Sequence, residues 1–389
     1  MNILYIGPND SEWAQTNRPV SLAAAKWARG FLTALSKHCN LTVLTHTYEV
    51  AWPKGKVLWR KYDVRLYPAD WPCEAVSYPV LKFVREWWWR FAYASKAKRI
   101  VREKKIEVVL IYNCHESWKV PVLRGIKEAY PLVKIYPIIL DGDDPRKDNW
   151  GWLKKAAVYS DGFIPLSWWV HQNITTMTGM PSYHMDGGAD GWCGRHLTYK
   201  GKDCKAKSVP VTYSLVHTGA LDQWRGLHFM TAVVKMLTLK RHDVKFIFCG
   251  KTSEMVLKKT FGSNPAVELP GFVSEERMEE ICNHADVLLN VRDPKHPDNI
   301  LNYPSKLPHY LSFGRPVVST RLQSLSPDYA DVVHFAVDDT VEGYARALEE
   351  VLGWDEDRKQ LEYMRIKDWF EKHKRWDVLV QGVMKWIEG

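Results

Sequence analysis

Residues 286–320 read Asp286-Val-Leu-Leu-Asn-Val-Arg-Asp-Pro-Lys-His-Pro-Asp-Asn-Ile-Leu-Asn-Tyr-Pro-Ser-Lys-Leu-Pro-His-Tyr-Leu-Ser-Phe-Gly-Arg-Pro-Val-Val-Ser-Thr320. An apolar run of strand length, Val287 to Asn290, is followed by a polar, proline-bearing loop, a helical stretch from about Pro304, and a second apolar run from Pro316 to Thr320. Two such runs joined through a helix make a β-α-β unit, which folds as parallel strands with a right-handed crossover. Asn302 stands where a helix cap belongs and Pro304 suits the first turn. Ser305 and Lys306 then fall among the free N–H groups at the positive end of the helix, a place that favours an anion, and Lys306 adds a full charge.

Working outward, the same alternation fills the chain on both sides. Upstream come Tyr213 to Thr218, a helix from Gly226 to Leu239, a strand at Val244 to Cys249, a further strand near Val267 to Leu269, and a helix that Ser274 can cap. Glu275 and Glu276 in its first turn complement the helix dipole. Before residue 185 the runs are residues 2 to 6, Leu41 to Thr45, Val108 to Tyr112, Val133 to Leu140 and Gly162 to Leu166, with an Ala-rich helical stretch from Ser21 to about Lys37. Around 184 to 210 the pattern fails in a Gly-, Asp- and Lys-rich stretch that reads as loop and linker. The expected fold class is therefore α/β, two Rossmann-like domains facing a central cleft: residues 1–185, a hinge at 186–212, and residues 213–371. In such sheets ligands bind outside the carboxyl ends of the strands, so the loops there are the candidate sites.

Composition agrees and removes other classes. At 389 residues the chain fits two ordinary α/β cores. No apolar run is long enough to cross a bilayer, and no tandem repeat or low-complexity tract suggests a solenoid or a disordered tail. The N-terminus lacks the features of a signal peptide and reads as a first strand, so the expected location is the cytoplasm, with peripheral attachment at the inner membrane face left open. Cysteines at 39, 73, 114, 193, 204, 249 and 282 form no C-x-x-C pair and are expected as free thiols. The net charge of +9 favours polyanionic partners: phosphates, an anionic lipid surface or nucleic acid. Of the 19 tryptophans, most are expected in cores or surface clefts.

The pattern P-S-K-L-x-x-Y-L-x-x-G-x-P-V-V-S-T in residues 304–320 resembles the donor-site helix and following strand of family 4-type glycosyltransferases of GT-B fold (glycosyl transferases group 1). His217-Thr-Gly-Ala-Leu-Asp-Gln-Trp-Arg-Gly226 is similar to the first glycine turn of that family's second domain. Phe248-Cys-Gly250, Pro270-Gly-Phe-Val-Ser274 and Ala285-Asp-Val-Leu-Leu289 resemble its later strand ends. Ser160 to Ser167 and Gly187 to Asp190 resemble its hinge region, and Arg375-Trp-Asp377 the start of a terminal helix, here 372–389, that crosses back to the first domain. The resemblance implies an enzyme, a glycosyltransferase using a nucleotide-diphosphate sugar as donor substrate, with no other cofactor and no metal. It implies donor phosphate contacts from Lys306, Ser305, Arg225 and Gly219, and a nucleotide pocket lined by Gly271, Phe272 and Val273. Two family positions differ: the places of a paired glutamate hold Leu301 and His309, and an arginine after the first glycine is replaced by Ala220. His309 then stands in for one glutamate, with Asp298, Asn299, Asn302 and Tyr303 the groups nearest the sugar and nucleoside.

In the first domain, Asp141-Gly-Asp-Asp144 follows the run ending at Leu140. Asp143 or Asp141 could take the proton of an acceptor hydroxyl if the transfer inverts configuration; a solvated turn before Pro145 is the plainer alternative. His115 and Glu116 follow the run ending at Tyr112 and carry the same two readings. The loop Asn9 to Arg18 after the first strand suits recognition, as do many surface loops. Leu81 to Lys105 combines many Lys and Arg with Trp87, Trp88, Trp89, Phe91 and Tyr93. It could dock on an anionic membrane carrying a lipid-linked acceptor, grip duplex DNA, or pack its aromatic side on the domain. The first choice of acceptor is a lipid-linked or cell-envelope glycan. Hydroxylated bases in duplex DNA, as for phage DNA glycosyltransferases, and a catalytically inactive sugar- or nucleic-acid-binding protein are the alternatives.

Overall fold

A computed structural model describes the chain except residues 18–19, 56, 62, 141–149, 195–211, 222–225, 251–253, 263, 294–295, 297–298 and 300–301. The chain divides into two compact units: Met1–Gly188 with Ile300–Tyr303 and Trp376–Gly389, and Ala189–Asn299 with Pro304–Arg375.

The first unit runs β1 (Asn2–Ile6), α1 (Glu12–Asn17), α2 (Leu22–Leu35), β2 (Asn40–Thr45), β3 (Trp59–Arg60), β4 (Cys73–Ala75), β5 (Tyr78–Pro79), α3 (Lys82–Lys104), β6 (Val108–Tyr112), α4 (Lys119–Ala129), β7 (Lys134–Ile139), α5 (Gly151–Ala157), β8 (Ile164–Pro165) and α6 (Trp168–Thr178). Its sheet has the order β4-β2-β1-β6-β7-β8, and every neighbouring pair is parallel. Continuous apolar strands such as Val108–Tyr112 are buried on both faces, as a parallel sheet covered by helices requires. Ser21 caps α2 by accepting from the Ala24 N–H.

The second unit runs β9 (Tyr213–Thr218), α7 (Leu227–Lys240), β10 (Val244–Cys249), α8 (Glu254–Phe261), β11 (Val267–Gly271), α9 (Glu275–Asn283), β12 (Val287–Asn290), α10 (Lys306–Leu311), β13 (Val317–Ser319), β14 (Val333–Phe335), α11 (Val341–Leu352) and α12 (Glu356–His373). The order is β11-β10-β9-β12-β13-β14, again all parallel. Ser274 caps α9 from its hydroxyl, as its position suggests. The last helix, α13 (Trp376–Glu388), lies in the first unit, where the Trp376 indole meets Trp27 edge-on at 5.7 Å and Lys37 pairs with Asp377 at 2.9 Å.

Both sheets reverse direction of growth beside their first strand, between β1 and β6 and between β9 and β12. Loops leaving adjacent strands on opposite faces open a crevice at such a point, which is where α/β sheets bind ligands. Two Rossmann-like halves, the expected fold class, are thus present. One local expectation fails: Asn302 does not cap α10. Pro304 closes a turn with the Leu307 N–H at 2.9 Å, so α10 begins only at Lys306. Ser305 holds the cap position with a helical backbone and no side-chain cap bond.

Candidate functional site

At the switch point of the second sheet, β9 ends in two residues, His217 and Thr218, that belong to one hydrogen-bonded group. His217 is 1% exposed, and its Nδ1 lies 3.1 Å from the Leu289 carbonyl oxygen of β12. A carbonyl only accepts, so Nδ1 carries the hydrogen and Nε2 is left as an acceptor. The Lys306 ammonium fills that role, donating to His217 Nε2 at 3.1 Å and to the Thr218 carbonyl at 2.8 Å. Burial above all, then the Lys306 charge and more weakly that of Arg292, hold His217 well below its ordinary value, so the imidazole stays neutral. One turn along α10, the buried Tyr310 hydroxyl accepts from the Thr218 N–H at 2.7 Å and lies 3.1 Å from the Thr218 hydroxyl. The six-residue helix therefore clamps the end of β9 at two levels.

A glycine with positive φ follows β9 and β10 and ends β11: Gly219 (92°), Gly250 (153°) and Gly271 (76°). Gly219 N–H donates to the Cys249 carbonyl at 2.8 Å, and Gly250 N–H to the Gly271 carbonyl at 2.9 Å. A Cβ on Gly250 would sit 2.6 Å from the Gly219 carbonyl carbon, so backbone meets backbone there and only glycine fits. A Cβ on Gly219 would instead point toward Lys306 Nζ, 3.7 Å away, and one on Gly271 would meet nothing within 4 Å. The result is a lip of bare backbone with an ammonium beside it. The glycine before α7, Gly226, packs so closely on the end of β12 that a Cβ would lie 3.0 Å from Val291 Cγ1. That brings the helix N-terminus, which has no side-chain cap bond, to the end of β12 at the same switch point.

Among the described residues, the fold brings the expected site residues Lys306 and Gly219 together. Ser305 is exposed at the start of α10, Phe272 is 65% exposed just beyond β11, and Val273 is half-buried. His309 is half-buried with its ring edge-on to Phe313 at 4.8 Å. Asn299 is buried and its amide is engaged within its own loop, donating to the Asp293 carbonyl at 2.6 Å and accepting from Arg292 at 3.4 Å. Asn302 is half-buried and Tyr303 buried. Arg225, Asp298, Asp141 and Asp143 lie outside the described residues.

In the first unit, His115 is half-buried, with its ring 6.1 Å from Trp152. Its neighbour Glu116 is structural: it accepts from Lys119 at 2.8 Å and from the Trp118 indole at 2.6 Å. Burial works to raise its carboxyl, but Lys119 and His46 outweigh that and hold it at about 2. Burial likewise holds His46, hydrogen-bonded to the Tyr93 hydroxyl at 2.6 Å, down at about 4. Just past β1, burial pushes the Asp10 carboxyl up to about 7, where it can exchange a proton near neutrality. Asp10 Oδ1 and the hydroxyl of the fully buried Tyr5 are both enclosed and make no hydrogen bond among the described residues. His217, Arg292 and Tyr310 in the second unit and Tyr5 in the first are absent from the expected site, and Asp10 enters it only as part of the loop Asn9 to Arg18. A polar residue one or two places before a strand-end glycine, or just after a first strand, is the signal that points to His217 and Asp10. Among the described residues no group of three His, Cys, Asp or Glu side chains gathers to hold a metal ion.

The whole chain is similar in fold to solved glycosyltransferases. A glycosyltransferase from Rickettsia africae ESF-5 matches with a TM-score of 0.66 at 11% identity, over 100% of this chain and 97% of that one. Anabaena Alr3699/HepE in complex with UDP matches with a TM-score of 0.67 at 12% identity, over 100% of both chains. An E. coli protein described as trehalose-6-phosphate bound with UDP-2-fluoro glucose matches with a TM-score of 0.66 at 11% identity, over 100% of this chain and 99% of that one. No curated protein sequence matches. The fold, two Rossmann-like units with parallel sheets, is that of the GT-B glycosyltransferases. More particularly, residues 212–353 match the family model of glycosyl transferases group 1. Residues 212–353 thus carry a domain of that kind, and the match supports a transferase.

Proposed function

We propose that the chain transfers a sugar from a nucleotide-diphosphate sugar to a hydroxyl of a lipid-linked or cell-envelope glycan. The observation that carries the donor half is the Lys306 ammonium, held beside the bare Gly219 backbone at the switch point of the second sheet. In the transfer, the bond from the anomeric carbon to the diphosphate oxygen breaks and the diphosphate keeps the electron pair. The acceptor oxygen bonds to the same carbon and gives up its proton. Charge gathering on the departing diphosphate is stabilised by Lys306 and by the N-terminal end of α7, with Arg225 and Ser305 adding contacts. Gly271, Phe272 and Val273 line the nucleoside side, where the exposed Phe272 ring offers a stacking face. We assign the sugar and ribose contacts to His309, Asp298, Asn299, Asn302 and Tyr303, Asn299 through its backbone because its amide is already engaged. If configuration inverts, Asp143, Asp141 or His115 receives the acceptor proton, and Asp10 joins them as a group that titrates near neutrality. The enzyme works in the cytoplasm, peripheral to the inner face of the membrane.

Supporting the donor half are the relatives in fold, which hold UDP or UDP-2-fluoro glucose in their own structures. The test is isothermal titration and hydrolysis with a panel of nucleoside diphosphates and their sugars. Binding of one nucleotide class, weakened by Lys306→Met, is the expected result; binding of none sinks the reading. The net charge of +9 favours a second acceptor, hydroxylated bases in duplex DNA. Transfer to such a duplex, with none to lipid-linked glycans, would select it.

A further inference from the structure

Helix α3 has two aromatic faces, and only one of them is used by the fold. Trp89, Tyr93, Ala97, Ile100 and Val101 are buried in the first-unit core. Phe83, Trp87 and Phe91 stand four residues apart, hence on one stripe, and are 83%, 57% and 59% exposed. The Trp87 and Phe91 rings touch edge-on at 4.9 Å. The stripe continues onto the neighbouring strand pair, where Leu58 and Trp59 are 59% and 42% exposed and Trp59 meets Trp88 at 5.2 Å. An apolar patch of this extent marks an interaction surface.

The charge around the stripe selects the partner. The 23 residues of α3 carry eight Lys and Arg against two Glu, and exposed Arg90 and Lys98 lie along the stripe's half of the helix. Lys82 Nζ stands 5.5 Å from the Phe83 ring centre. A second copy of the chain docking through the same face would set one positive helix against another, which electrostatics opposes. Phosphate recognition alone leaves three exposed rings without a purpose. Aromatic rings that enter the headgroup region, flanked by cations that meet lipid phosphates, satisfy both features.

We infer that the Phe83–Trp87–Phe91 face of α3 is a docking surface for an anionic phospholipid bilayer. This names the partner surface for the lipid-linked acceptor proposed above, and it rests on that reading only for its purpose. Vesicle binding is measured without donor or acceptor, so either idea can fail while the other stands.

The experiment floats the full-length chain with vesicles of phosphatidylcholine alone or containing phosphatidylglycerol, at low and high salt, with duplex DNA in a parallel assay. Strong flotation is expected with the anionic vesicles, less with phosphatidylcholine and less at high salt. Phe83→Ser, Trp87→Ser and Phe91→Ser together should lower partitioning by roughly 30-fold or more, since three exposed rings leave the bilayer. Lys82→Gln, Arg90→Gln and Lys98→Gln together should remove most of the preference for anionic vesicles. All six side chains are exposed, so an unchanged melting temperature verifies folding. Absence of flotation, or equal flotation of the triple serine variant, overturns the inference. So does a wild-type oligomer that the serine variant dissociates, or duplex binding that it abolishes while flotation persists.

Discussion

Replacing Lys306 by methionine keeps most of the side chain's length and removes its charge. The ammonium lies 3.7 Å from the point a Cβ would occupy on Gly219, so an anion resting on that backbone comes within about 4 Å of Nζ. At an effective dielectric of about 20, one phosphate charge at that distance is worth about 4 kcal/mol, and desolvation leaves on the order of 2–3 kcal/mol. The dissociation constant for a nucleoside diphosphate should therefore rise by roughly 30- to 150-fold. Isothermal titration of wild type and variant with UDP, ADP and GDP measures it, and the difference should shrink in high salt. The same substitution takes a donor from the Thr218 carbonyl and from His217 Nε2, so a melting-temperature drop of a few degrees is expected as well. If the variant binds within roughly threefold of wild type, Lys306 does not face the phosphates and the donor site lies elsewhere.

Gly250→Ala should destabilise by about 3 kcal/mol or more, because its Cβ meets the Gly219 backbone and φ is 153°; a urea-midpoint loss under about 1 kcal/mol would contradict the packing described. Asp10 makes stability fall with rising pH: its folded-state carboxyl titrates at about 7 and its unfolded one near 4, so up to about 4 kcal/mol is lost between those values. Asp10→Asn should consequently be more stable than wild type at pH 8 and gain little at pH 4, read from urea midpoints at both. His46 acts with the opposite sign, its folded value of about 4 lying below the unfolded value near 6.5, so stability should fall as pH drops through that window. His46→Gln should flatten the acid limb of the same profile, and an unchanged limb would show that His46 is not buried neutral.

Much of this architecture is written in local patterns. The runs Val108–Tyr112 and Val287–Asn290 give their strands directly, because a strand buried on both faces needs no partner to declare itself. Ser21 and Ser274 announce their helices because a cap is a contact between residues three apart. Lys306 is legible as a charge at the start of a helix. The hydrogen bond that seats it on His217 joins residues 89 positions apart and follows from sheet order, which no local pattern states. Asn302 misleads because a capping residue and the residue after a loop look alike; the turn closed by Pro304 decides between them. Asn299 likewise offers a polar amide to any reader of the sequence, but the loop uses both ends of it. On α3, aromatic residues occupy two faces of one helix, and only the packed first unit shows which face is covered.

The return of the chain to its first unit orders events during synthesis. Trp376 on α13 packs on α2 so closely that a Cβ on Gly30 would collide with the indole Nε1. Until that helix emerges, Trp27 and Phe31 lack the ring that meets each of them edge-on. The second unit contains no part of α13. On a ribosome it can finish folding while the first unit, although made earlier, waits with an open flank. The half that comes first is the half that is completed last, and aromatic surface is exposed to chaperones and proteases for the whole interval between.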